Sequence, residues 1–347
     1  MAVMTSSDVL KINNAEELVG LIDEVIQAIP EMGYFEATPV AKTSYKTLCL
    51  TGLPTVGFRA TNTYRPLSSA VLGNKTVDCK YLDASWVIDK ATATEADWGK
   101  EFVFATQAKA HLKAAFFAIA QQTWYGVGVD AGGFNGLHGI IDAVVDGSGN
   151  KTMVIDANPG STISDGSSVF AVRTGLDSVQ YAWGAGGQFE EGEVGEQLAQ
   201  VTEDLTLKGQ PQYFQNLGAW IGLQVTSKNA AAKICNLSAT ASKQGLDDDL
   251  LYDLISLFPA GAGPTAFFMN RRSLMQLRKS RTATNATGTP APIPTEVEGI
   301  PIFVTDAINS IESNAESSSS SSSSSSEESS SSSSSEGGDG GNGGQTG

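Results

Sequence analysis

"TATEADWGKEFVFATQAKAHLKAAFFAIAQQTW", residues 92–124, carries the longest helical pattern in the chain. Trp98, Phe102, Ala105, Ala108, Leu112, Ala115 and Ile119 recur at steps of three and four, the spacing of one helix face. Thr92 with Glu95 three positions on has the spacing of a capping box, so the pattern predicts a helix over 92–124. At 1.5 Å per residue, roughly thirty residues would span on the order of 45 Å. A spine of that length crosses a whole domain and needs other elements to cover its apolar stripe.

Upstream, residues 48–89 alternate β-branched or aromatic residues with polar ones and are broken by Pro54, Gly57, Pro66 and Gly73. The pattern predicts a long twisted hairpin. Its centre, about Arg59 to Asn74, is too polar for a core strand pair, which predicts a projecting loop whose partners lie outside the subunit. Before it, Asn14 and Glu17 open an amphipathic helix with Leu18, Leu21, Ile22, Val25, Ile26 and Ile29 on one stripe, ending at Pro30. That helix packs on its own body or acts as an arm on a neighbour.

Downstream of the spine, "AGGFNGLHGIID" (131–142) places one of only two histidines in a glycine-rich turn. The body that follows mixes strands ("KTMVIDA", "SSVFAVR", "TAFFMN", "GIPIFVTDAI") with helices ("LDDDLLYDLISLF", "RRSLMQLRKSR"). This is an α+β pattern, without GxGxxG or GxxxxGK[ST] for nucleotide binding. From about Ala315 the chain is serine, glycine and acid without Leu, Ile, Val or Phe. It cannot offset an ordering cost of about 1 to 2 kcal/mol per residue, so 315–347 is expected to be a disordered tail.

The 347 residues, 41% of them apolar, are enough for a sizeable core. A net charge of −16 argues against a nucleic-acid-binding surface, which needs clustered Lys and Arg. The tail's five carboxylates (Glu316, Glu327, Glu328, Glu336 and Asp339) supply only part of that charge, so the body is acidic as well. Three scattered cysteines, Cys49, Cys79 and Cys235, read as reduced thiols of an intracellular compartment. The N-terminus lacks the pattern of a secretion signal, and the longest strongly apolar stretch, "AAFFAIA" at 114–120, is far short of a membrane span.

His138, with Asp142 nearby and Ser148 further on, is the one candidate for a hydrolase base, but no GxSxG elbow presents a serine to it. His111 lies mid-helix and reads as structural. The histidines and cysteines have no metal-ligand spacing, and "DGSGN" (146–150) reads as a hairpin turn rather than a calcium loop. No catalytic, cofactor or metal residue is expected. Arg271 and Arg272 would oppose the dipole at a helix start and call for an external acidic partner, for which "FEEGEVGE" (189–196), with Glu190 and Glu191, and "DDD" (247–249) are candidates on a neighbouring subunit. With Arg59 and Arg65 in the hairpin, these are the expected intersubunit contacts.

Taken in order, "TGLPTVGFR", "FFAIAQQTWYG", "FNGLHG", "SVQYAWG", "EVGEQ", "YFQNLGAWIGLQVTSKNAAAKICNL", "PTAFFMNRRSLMQLR" and "EVEGIPIFVTDAI" resemble the major capsid proteins of tailed bacteriophages with the Hong Kong 97 fold, closest to those of short-tailed phages. The resemblance covers roughly residues 15–314. It implies an N-terminal arm (1–47), an extended β-hairpin loop (48–91), and peripheral and axial domains (92–314) with the spine helix at 92–124; the tail (315–347) lies beyond it. It implies no catalysis. It also implies self-assembly, as hexamers and pentamers, into an icosahedral shell enclosing double-stranded DNA without sequence-specific binding. The implied location is the virion, built in the host cytoplasm and without membrane contact. A separate scaffolding protein, a portal and a candidate decoration protein are the expected partners. The alternatives are an encapsulin-like nanocompartment shell and, from a different class, a hydrolase using His138.

Overall fold

The computed structural model describes residues 4, 8, 25–160, 164–197, 200–201, 207–208, 211–240, 244–283 and 289–312. Most of the amphipathic pattern from Asn14, and the serine-rich tail from residue 315, lie outside the described residues; the described end of that pattern, 25–29, is not helical. The chain enters the body through a short helix, α1 (Glu31–Tyr34), and a strand, β1 (Ala37–Pro39). β2 (Ser44–Gly52) and β3 (Val71–Asp78) then form an antiparallel two-stranded ribbon, Ser44 opposite Asp78, with a bulge between Leu50 and Gly52. β4 (Lys80–Asp83) and β5 (Trp86–Asp89) follow, but they join sheets of the body rather than extend the ribbon.

The helix expected over 92–124 is two helices. α2 (Lys90–Thr94) is capped by Asp89, whose side chain accepts from the Ala91 amide, so Thr92 is buried inside the first helix and caps nothing. α3 (Lys100–Tyr125) begins only after Gly99, whose φ of +87° ends any continuous helix there. With 26 residues, α3 is about 39 Å long at 1.5 Å per residue, so it still acts as a spine. It stops at Gly126, and the chain returns through a turn into α4 (Leu137–Asp142).

The rest is sheet with two helices. β6 (Val154–Asp156), β7 (Val169–Val172), β8 (Val179–Trp183), β9 (Phe189–Glu191) and β10 (Gly195–Gln197) precede a short pair, β11 (Gln200–Val201) and β12 (Leu207–Lys208). After them come β13 (Gln212–Gln215), β14 (Leu217–Val225), β15 (Ala231–Cys235), α5 (Asp248–Ser256), β16 (Ala266–Met269), α6 (Arg271–Ala283), β17 (Glu296–Val297) and β18 (Ile300–Val304). A six-stranded sheet has the order β17-β18-β16-β7-β15-β6, and a three-stranded sheet the order β10-β13-β5. A third sheet runs β1-β8-β14-β4, with β9 also on β14.

The spine joins these layers. Near its start Phe104 lies 5.6 Å from the Trp86 ring and 4.9 Å from Tyr213, against the three-stranded sheet. Near its end Trp124 lies 4.9 Å from Phe170 and 5.1 Å from Phe268, against the six-stranded sheet. All four residues of β7 and of β16 are buried, which is why both read as unbroken apolar runs. His111 ties the middle of the spine to the Ala84 carbonyl through Nδ1 at 3.0 Å, a structural contact.

Candidate functional site: a buried ion cluster and an exposed hairpin

The glycine-rich turn is built by a close approach of two backbones. Gly126, at φ +62°, lies so near Gly136 that a Cβ on it would come within 2.1 Å of the Gly136 nitrogen. Gln122 of α3 clamps the intervening loop, donating to the carbonyls of Asp130 (3.1 Å) and Phe134 (2.7 Å). The turn delivers His138 into the body on α4, where it is 3% exposed. There it meets residues the sequence did not single out. Lys233 of β15 sets Nζ 2.8 Å from Asp142 Oδ1 and 3.1 Å from His138 Nε2, while Lys151 reaches Asp142 Oδ2 at 3.1 Å. A lysine inside the apolar strand "AAKIC" was the available signal.

This cluster lines a cavity of about 330 Å³ and has the composition, but not the geometry, of a catalytic site. Burial, then the neighbouring Lys233 charge, push His138 down to about 4, so it is neutral near neutral pH. Since the Lys233 ammonium donates to Nε2, Nδ1 carries the hydrogen, and this buried N–H has no partner among the described residues. Burial acts to raise the Asp142 carboxyl, but the charge and hydrogen bond of Lys233, with the Lys151 charge beside them, hold it below the ordinary value, as an anion. No serine lines the cavity. Its thiol, Cys235, is pushed up to about 11 by burial and donates to the Ile155 carbonyl, so it offers no thiolate. A base bonded to an ammonium, with no activated nucleophile beside it, does not make a hydrolase. Asp146 meanwhile accepts from the Ser148 and Asn150 amides, and Val145 pairs with Lys151, so "DGSGN" is the tight turn its sequence predicts. Among the described residues no His, Cys, Asp and Glu cluster could hold a metal, and none of the helices is long and apolar enough to cross a membrane.

The ribbon β2–β3 and its tip have the opposite character. Leu48, Leu50, Leu53, Val56, Phe58, Tyr64, Leu67, Val71 and Leu72 are all exposed, Phe58 and Leu67 almost completely. So much apolar surface on a projecting loop marks an association surface. The tip is therefore apolar as well as polar, a feature the expectation of a polar centre missed. Thr55 and Ser68 brace it across the loop: the Thr55 amide donates to Ser68 Oγ at 2.7 Å, and that hydroxyl returns a bond to the Thr55 carbonyl at 3.2 Å.

The six charged residues expected at subunit contacts divide. Arg59 is exposed at the tip and donates to the Thr63 carbonyl, and Arg65 is half-buried with its guanidinium against Gly57. Glu190 and Glu191 are exposed on β9, and Arg271 is exposed at the start of α6. Arg272 differs: it donates to the carbonyls of Asp165 (2.9 Å) and Leu237 (2.8 Å) of its own chain, so backbone oxygens take the place of an external acid. Arg278 likewise donates to the Ala291 carbonyl, and Arg281 forms a two-pronged pair with Asp248, the shorter contact 2.7 Å. Most of this basic cluster is thus engaged inside the subunit.

Among the described residues the chain thus presents a spine between two sheets and an exposed apolar hairpin, features of a subunit that associates through its surface. The chain belongs to the major capsid protein GP7 family, whose sequence profile matches residues 13–316. No curated protein sequence matches it. In a cryo-EM structure of bacteriophage Epsilon15, a chain with 19% identity superposes with a TM-score of 0.69, covering 90% of this chain and 97% of its own. That likeness shows the fold, an α+β fold of the Hong Kong 97 type. A chain from the capsid of a native GTA particle (10% identity, TM-score 0.43, covering 67% of this chain and 100% of its own) is more distant. So is one from the holo-SrpI encapsulin complex of Synechococcus elongatus PCC 7942 (8% identity, TM-score 0.43, covering 69% and 98%). The protein is a self-assembling structural component of a phage capsid and has no catalytic role.

Proposed function

We propose that this subunit assembles as hexamers and pentamers into an icosahedral shell around double-stranded DNA, each hairpin lying across the body of the next copy. The observation that carries this is the row of exposed apolar side chains from Leu48 to Leu72 on an arm with little subunit surface of its own to cover it. Charge gives the direction of docking: Arg59 and Arg65 at the tip complement the exposed Glu190 and Glu191 of β9 on a neighbour, and Arg271 adds a second basic point. The remaining surface is acidic, so packaged DNA is enclosed rather than gripped. In this reading 1–47 is the arm, 48–91 the extended loop, and 92–314 the peripheral and axial domains. A separate scaffolding protein, a portal and a decoration protein complete the particle in the host cytoplasm.

The test is a charge swap read by electron microscopy and sedimentation. Arg59→Glu with Arg65→Glu should abolish shells while leaving the circular dichroism of the subunit unchanged. Adding Glu190→Arg and Glu191→Arg should restore shells in part. Normal shells from the first double variant would refute the proposed contact.

A further inference from the structure

Where the chain enters the body, one carboxyl is buried without a cation. Glu31 is 0% exposed. Its Oε1 accepts from Trp124 Nε1 of the spine at 3.0 Å and from Thr305 Oγ1, just after β18, at 2.9 Å. Its Oε2 is buried and has no hydrogen-bond partner among the described residues. Around this carboxyl the segment 28–36 is seated by apolar packing of Ile29, Met32 and Tyr34 on the core and by polar contacts, among them the Tyr181 amide donating to the Glu36 carbonyl at 2.8 Å. Ala28 and Asp306 exchange hydrogen bonds of 2.7 and 3.0 Å, Tyr34 donates to the Thr265 carbonyl, and Phe35 packs on Trp124, Tyr181 and Phe268.

Titratable groups near Glu31 all work against a negative charge. Among the described residues the spine contributes the Trp124 indole, a neutral donor. β8 contributes the Tyr181 phenol, itself pushed up by burial and bonded to Thr123. The segment after β18 contributes the Asp306 carboxylate. An ionised carboxylate here has an oxygen facing no donor and an anion as its neighbour, whereas a neutral carboxyl needs no counter-charge.

We propose that Glu31 is a proton-controlled latch where the chain enters the body: as a neutral carboxyl it holds residues 28–36 in place, and as a carboxylate it loosens them. The direction agrees with burial, which raises this carboxyl above its ordinary value, the bonds from its own backbone, Trp124 and Thr305 lowering it in part and Asp306 raising it again. A raised value in the docked state means that docking is complete at low pH and is lost as pH rises through that value. The latch needs no particular hairpin contact, so it stands or falls separately from the charge-swap proposal.

The test is amide hydrogen exchange on assembled full-length particles, corrected for the intrinsic rate of each amide. Over roughly pH 5 to 9, protection of residues 28–36 should fall with rising pH, by up to about tenfold per unit while only the released carboxyl is ionised, and then level off, while β16 keeps constant protection. Glu31→Gln should hold the segment at every pH. Asp306→Asn, which removes the neighbouring negative charge and so makes a docked carboxylate less costly, should diminish the loss of protection at high pH, and this second variant decides the matter if the first does not fold. Protection in the wild type that is flat with pH, a Gln variant that keeps the slope, or an undiminished loss in Asp306→Asn would each overturn the latch.

Discussion

His138 shows how a residue that looks catalytic can instead be held in place by its neighbours. Its Nε2 accepts from Lys233 and its ring is buried, so its role is set by the ion pair between Lys233 of β15 and Asp142 on its own helix. Asp142→Asn removes the carboxylate that balances a lysine 2% exposed. Breaking such a pair costs about 3 to 5 kcal/mol, and urea unfolding of the unassembled subunit should show a loss of that order. His138 adds a pH dependence of definite sign. Its value falls from 6.5 unfolded to about 4 folded, so the unfolded chain takes the proton first as pH drops. Stability should decline from about pH 6.5 down to about 4, by about 3 kcal/mol, and His138→Asn should flatten that window in unfolding midpoints measured against pH. The absence of a nucleophile motif beside His138 was legible from the chain. Lys233 as its partner was not, because residues 95 positions apart meet only when β15 is placed beneath α4.

At the scale of elements, two glycines separate pattern from backbone. The spacing of apolar residues located the spine, but periodicity carries no information on φ, and the break at Gly99 lies within an unbroken helical pattern. Gly99→Ala meets only the Glu101 carboxylate at 3.5 Å, so its penalty is conformational, about 1 to 3 kcal/mol. Gly126→Ala meets the Gly136 backbone as well and should cost clearly more, because main chain cannot move aside as a side chain can. Thermal unfolding of the two variants side by side checks the order; equal losses would refute the close approach. Gly136 was legible as a turn residue, whereas Gly126, its partner across the gap, needed the folded backbone to be recognised.

For the whole molecule, the proposed shell gives the hairpin its role: its exposed apolar side chains would serve association rather than the subunit's own core. Phe58→Ser with Leu67→Ser should leave the melting temperature of the unassembled subunit within a degree or so, since surface changes usually stay within about 0.5 kcal/mol. The same pair should sharply lower the yield of shells counted by electron microscopy. Net charge acts on the same equilibrium. At −16 per chain, copies repel one another, and assembly yield should rise from low to moderate ionic strength as screening shortens the range of that repulsion. A yield independent of salt would remove charge from the account.

What the amino-acid order determined by itself was local and periodic. The spine's apolar stripe, the unbroken apolar runs of β7 and β16, the "DGSGN" turn and the ordered series of capsid-like motifs all depend on neighbours a few residues apart. Tertiary structure alone decided which groups share a dielectric environment and which are left without a partner. It turned Arg272 inward onto two carbonyls, gathered Lys151 and Lys233 around Asp142, and closed a carboxyl at Glu31 into a cation-free pocket. The strength of a charge depends on the distance and burial of groups remote in sequence, and no spacing along the chain encodes those.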